Sequence, residues 1–133
     1  LFLIHRDDWE VLGGFDPAFF MYAEEADLCL RARETLGARP RITPDSVIVH
    51  YGGASEKVKA DRMVRILRAK RELIRRHFPH WQRPVALFFF DTVPVTRHLA
   101  LSALSLLRGG RQEAARIWSE IWNRRKEWRA PLV

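Results

Sequence analysis

Three groups of side chains in the first 55 residues have types and spacing that could do chemistry. The first is the acidic run Glu24-Glu25-Ala26-Asp27, which follows a segment holding Phe19, Phe20 and Tyr22. On a helix Glu24 and Asp27 would share a face, with Glu25 turned about 100° away. A carboxylate beside a cleft acts as a general base when it reaches the proton it must remove. First-turn acids are also favoured by the helix dipole whatever their function. The second is His50, which closes the apolar run 46–50 next to Gly52-Gly53. An imidazole there suits a metal ligand or base, and equally a hydrogen-bonded structural histidine. The third is Gly13-Gly14-Phe15-Asp16, where two glycines either admit a ligand close to the backbone or cap a helix.

The elements that must position these groups can be read from the pattern. Residues 1–5, 39–42 and 46–50 are expected to be short strands, the last because it is β-branched and apolar. Residues 6–12 read as one or two helical turns stopped by Gly13-Gly14, and a helix from about 24 to 35 or 36 ends at Gly37. Thr43-Pro44-Asp45 is a turn. Past residue 55 the period becomes helical. Met63, Ile66, Leu67, Leu73 and Ile74 form a stripe over 57–77, a second helix covers roughly 84–107 with a break expected at Pro94, and a third covers 111–128. On this third helix Ala114, Trp118, Ile121 and Trp122 share a face.

Charge divides the chain in the same place. The 133 residues hold 23 Lys+Arg and 16 Asp+Glu, a net of +7. Residues 1–55 carry five Arg and nine acids, a net of −4, and residues 56–133 carry 18 basic and seven acidic residues, a net of +11. The 47% hydrophobic and 29% charged composition is that of a globular chain and excludes a disordered tail. Cys29, the single cysteine, allows no intrachain disulfide and no thiolate metal site. The opening run Leu1-Phe2-Leu3-Ile4 lacks a basic flank and a small-residue cleavage site. It reads as a strand cut from something longer rather than a signal peptide. Within 85–107, Asp91, Arg97 and His98 interrupt the apolar run, and each central charge costs roughly 2.5–3.5 kcal/mol in a spanning helix. Contact with a membrane surface through Phe88-Phe89-Phe90 is the better expectation there; packing on the front segment or on another subunit is its equal. No nucleic-acid partner is expected. The pI of about 10.5 is an electrostatic footprint, but reader motifs are absent and the front is acidic.

Taken together, residues 12–31 (LGGFDPAFFMYAEEADLCLR) and 47–55 (VIVHYGGAS) resemble family 2 glycosyltransferases of the bacterial rhamnosyltransferase-like kind. The resemblance runs from residue 1 to about residue 80. It implies an α/β fold, the C-terminal portion of a GT-A (Rossmann-like) glycosyltransferase domain over residues 1–80, followed by a helical basic and aromatic tail over 81–133. It implies transfer of a sugar from a nucleotide-sugar donor, with inversion, to a glycan or lipid-linked acceptor of the cell envelope. The expected setting is the bacterial cytoplasm at the inner face of the membrane. Glu25 stands where the family usually has an aspartate, the catalytic base, so its carboxylate reaches one methylene further. Glu24 and Asp27 are the neighbouring candidates. Gly13, Gly14, Phe15, Asp16 and Ser55 are expected to line the substrates, and His50 to help hold Mg²⁺ or Mn²⁺ on the donor diphosphate. The family's Asp-x-Asp is absent. The chain alone is therefore expected to be an inactive fragment. The alternatives are a non-catalytic helical interaction module and a basic module that binds nucleic acid or a membrane surface.

Overall fold

The computed structural model describes residues 2–49, 59–108 and 112–132, with the backbone alone at 107 and 108. The chain forms two compact units, Leu1–Ser55 and Glu56–Leu132. The division falls where the net charge changes sign. It places the helix after residue 58 in the second unit.

In the first unit, α1 (Arg6–Leu12) carries Asp7 and Asp8 in its first turn, where the dipole favours anions. Gly13, at φ 72°, ends it in the left-handed conformation that glycine adopts without a Cβ clash. The N–H of Gly13 then donates to the Glu10 carbonyl (3.2 Å) and that of Gly14 to the Trp9 carbonyl (3.0 Å). The second helix, α2 (Glu24–Leu36), begins with its three acids and ends at Gly37, at φ 64°. Its buried residues Asp27, Leu28 and Ala32 follow the one-, four- and five-residue spacing of a single helix face, and α2 packs against α1.

The second unit is a helical assembly of α3 (Lys59–His77), α4 (Arg83–Arg108), α5 (Gln112–Asn123) and α6 (Arg125–Arg129). Ala60, Val64 and Leu67 of α3 meet Ile121 of α5 and Trp128 of α6 in the core, with Met63, Phe90 and Trp118 packed around them. The stripe expected on α3 is rotated by about one position: Val64 and Ala60 are buried, and Ile66, Leu73 and Ile74 lie half-exposed at its edge. Two expectations change for physical reasons. The helix at 111–128 breaks at Arg124 (φ −87°, ψ 18°) because the turn folds Trp128 back into the core, where its indole N–H donates to the Ile121 carbonyl at 3.0 Å. Burying an indole is worth about 3–5 kcal/mol, more than one interrupted turn costs. Conversely α4 runs unbroken through Pro94, whose side chain is fully buried.

The expected α/β architecture does not form. Among the described residues every regular element is a helix and no strand is present, so these residues do not build a GT-A (Rossmann-like) sheet. Residues 2–5, 39–42 and 46–49, expected as strands, run without a ladder partner. β-branched side chains favour extended backbone, but a strand exists only when its N–H and C=O groups pair with a neighbour. Here Ile42 is fully exposed and Val47 88% exposed, and among the described residues none pairs with them to complete a ladder. The turn at 43–45 does form, closed by the Thr43 hydroxyl donating to the Asp45 carboxylate at 2.7 Å. No helix among the described residues is long and apolar enough to cross a membrane.

Candidate functional site

One guanidinium organises the acidic segment. Arg31 Nε donates to Asp27 Oδ2 at 2.7 Å, Nη1 to the Leu12 carbonyl at 2.6 Å, and Nη2 to the Gly14 carbonyl at 2.7 Å. The fork thus ties α2 to the end of α1 and to the glycine turn, in the planar multidentate way that only arginine provides. Asp27 is 1% exposed. Its carboxylate pairs with Arg31, and losing that guanidinium would remove the cationic partner of a buried acid, at about 3–5 kcal/mol. Asp27 is therefore a positioning group in this arrangement. Arg31 was not singled out from sequence, although its four-residue spacing from Asp27 was a readable signal.

The glycine turn is likewise packed rather than open. A Cβ on Gly14 would lie 2.8 Å from Trp9 Cζ2, so the absence of a side chain there admits the indole. Gly13 has nothing within 4 Å of that position, and its need is the positive φ alone. Phe15 stacks edge-on against Trp9 at 5.0 Å and lies 6.0 Å from Phe2. The Asp16 carboxylate accepts the Ala18 N–H at 2.8 Å and so shapes the turn that follows.

That turn delivers the acid pair. The segment reaching α2 holds two non-glycine residues at positive φ, Met21 (97°) and Ala23 (70°), a conformation that costs roughly 1–2 kcal/mol at each. Such conformations persist only where surrounding structure enforces them, and they cluster at functional sites. Phe19 is buried beneath the segment while Phe20 is exposed. Immediately after Ala23, Glu25 points into solvent and Glu24 is half-buried, with its Oε2 enclosed and without a hydrogen-bond partner among the described residues. An enclosed carboxylate oxygen lacking a donor is rare in proteins. One turn on, burial pushes the Cys29 thiol above its ordinary range, with the Glu25 charge adding to the shift.

The structure thus holds Gly14, Asp16, Asp27 and the Glu24–Glu25 pair within the first unit, joins Gly14 to Asp27 through Arg31, and leaves Glu25 on the solvent side. His50 and Ser55 lie outside the described residues. Among those described, no three His, Cys, Asp or Glu side chains come together, so they do not by themselves fit a divalent cation.

The second unit carries its own partly buried polar set. Asp91 of α4 accepts from Arg71 Nε of α3 at 3.1 Å, and Arg129 Nε lies 3.1 Å from its other oxygen as an ion pair without hydrogen-bond alignment. Burial depresses the Arg71 pKa, partly offset by Asp91. An apolar groove of about 390 Å³ lies between α3 and α5, lined by Met63, Ile66, Trp118 and Ile121. No family model, curated protein or solved structure matches the chain.

Proposed function

We propose that the first unit supplies the acceptor side of a glycosyltransferase site, with Glu25 as the general base. The supporting observation is the carboxylate pair at the head of α2. It is carried on a segment held at positive φ at Met21 and Ala23, with Glu25 open to solvent and one Glu24 oxygen enclosed and unpartnered. The resemblance of residues 12–31 and 47–55 to family 2 glycosyltransferases supplies the reaction class; the reading rests on this site and not on the architecture around it.

In the proposed reaction the acceptor hydroxyl oxygen forms a bond to the anomeric carbon of a nucleotide sugar. The bond from that carbon to the diphosphate oxygen breaks, and its electron pair leaves with the nucleoside diphosphate. The hydroxyl proton passes to the Glu25 carboxylate. Attack opposite the leaving group inverts the anomeric configuration. Asp27 and Arg31 keep the carboxylate pair in place, since base catalysis is sensitive to displacements on the ångström scale. The acceptor is a glycan or lipid-linked sugar handled on the cytoplasmic side of a bacterial membrane.

The test is transfer from a panel of nucleotide sugars by the polypeptide expressed from its complete reading frame, offered glycan and lipid-linked acceptors. Glu25→Gln is expected to lower kcat by about 10²–10⁴-fold with KM little changed. An undiminished kcat in that variant overturns the assignment of the base, and no transfer from any donor overturns the reading.

A further inference from the structure

The fourth helix turns polar as well as apolar side chains inward and leaves a further set of large apolar ones exposed. Its polar side chains turn inward: Asp91 meets Arg71 and Arg129, and the His98 ring lies 3.3 Å from the Ser119 hydroxyl and stacks on Trp122. Phe90 and Pro94 pack inward, but a second apolar set turns outward: Val85, Phe88, Phe89, Val93, Leu99 and Leu106 are all exposed, Leu106 to 87%. At 100° per residue these six fall in an arc of about 140°, which runs for about 30 Å along the axis. No charged residue falls in the arc. The two hydroxyls that do are satisfied by their own helix: Thr92 Oγ1 donates to the Phe89 carbonyl at 2.6 Å, and Thr96 Oγ1 to the Thr92 carbonyl at 2.9 Å. The face therefore offers a non-aqueous neighbour no unmet donor, which is the condition hydrocarbon imposes.

We infer that this face of α4 docks on an anionic lipid bilayer, lying in the plane of the interface. The inference does not depend on the glycosyl-transfer reading. Three observations favour a bilayer over a second copy of the chain. A two-helix seam is narrow and flanked by charges that fix its partner, whereas the positions just beyond the edges of this arc are Val95 on one side and Ala86 and Leu104 on the other, and its midline carries Thr92 and Thr96. Trp81, one turn ahead of α4, is 77% exposed, in keeping with the preference of indoles for the headgroup layer. Arg97 stands at the margin of the arc, its guanidinium 5.1 Å from the Trp118 ring, and residues 56–133 hold 18 basic and seven acidic side chains, complementary to anionic headgroups. The inward Asp91 cluster, and the absence among the described residues of any helix apolar enough to cross, place α4 on the surface rather than through it.

The experiment is co-sedimentation of the whole chain with large unilamellar vesicles of phosphatidylcholine, alone or with roughly one-third phosphatidylglycerol, at low and high salt. The chain is expected to pellet with the anionic vesicles and to be partly released by salt. The double variant F88S/F89S is expected to lose at least about tenfold in partitioning, and F88L/F89L to retain it. All these side chains are exposed, so circular dichroism should show unchanged helicity; L99S, two to three turns further on, gives an independent reading should F88S/F89S unfold. The inference is overturned if the chain stays in the supernatant, or if F88S/F89S and L99S partition as well as the parent. It is overturned too if neutral and anionic vesicles bind equally, or if the serine variants abolish self-association of a chain that ignores vesicles.

Discussion

At the residue scale, the first unit depends on a few contacts that distinguish chemically similar positions. Gly13 and Gly14 share a φ of 72°, yet only Gly14 has an indole where a Cβ would go. Gly13→Ala is therefore expected to cost about 1–2 kcal/mol, the ordinary cost of a left-handed alanine. Gly14→Ala should cost at least about 1 kcal/mol more, because the Trp9 ring must move as well. Denaturant titrations that follow backbone amide signals of residues 6–36 would measure both, and equal losses would mean that the indole contact carries no energy. The glycine pair and the acid pair were visible in sequence because residue type and spacing encode them. The division of labour among the acids was not. Glu24 has one oxygen enclosed, Glu25 faces solvent and Asp27 is bound to Arg31, whose guanidinium also reaches the Gly14 carbonyl 17 residues away.

At the scale of elements, helix boundaries were legible wherever a local stop exists. Gly13 and Gly37 end α1 and α2 as their conformational freedom requires. Boundaries set by packing were not legible: the break at Arg124 and the continuity of α4 through Pro94 both follow from what those segments bury. The junction of α5 and α6 is held by ion pairs that give it a pH response. Arg124 donates to Glu127 at 2.8 Å and also to Asp61 of α3. The hydrogen bond from Arg124, with its charge, holds the Glu127 carboxyl below its ordinary value of 4.5, against a smaller opposing effect of the Asp61 charge. A carboxyl whose pKa is depressed by folding contributes stability above its unfolded pKa and loses it as pH falls through the folded one. The melting temperature of the chain should therefore fall as pH drops from about 5 to about 3, and Arg124→Gln should fall less steeply over that range. Both groups are solvent-accessible, so high salt should narrow the difference. Parallel pH profiles for the two proteins would show the network to be energetically silent.

At the scale of the whole molecule, the 133 residues are expected neither to bind a nucleotide sugar tightly nor to turn one over. The sequence has no Asp-x-Asp, and the described residues bring no three metal-binding side chains together. Calorimetric titration with nucleotide sugars, in the presence of Mg²⁺ or Mn²⁺, checks this; tight binding or measurable transfer by the chain alone would refute it. The charge reversal near residue 55, the helical period beyond it, the glycine stops and the carboxylate cluster were all determined by the sequence, because each depends on neighbours within a few positions. Tertiary structure decided the rest. Extended segments such as 46–49 become strands only if a partner supplies hydrogen bonds across the chain, and none does so among the described residues. Asp27 became a scaffold through a guanidinium that also reaches the end of another helix. One apolar side of α4 became its outer face while Asp91 and His98 turned inward beside Phe90 and Pro94 to meet Arg71, Arg129 and Ser119, and no local pattern states which side of a helix its neighbours will occupy.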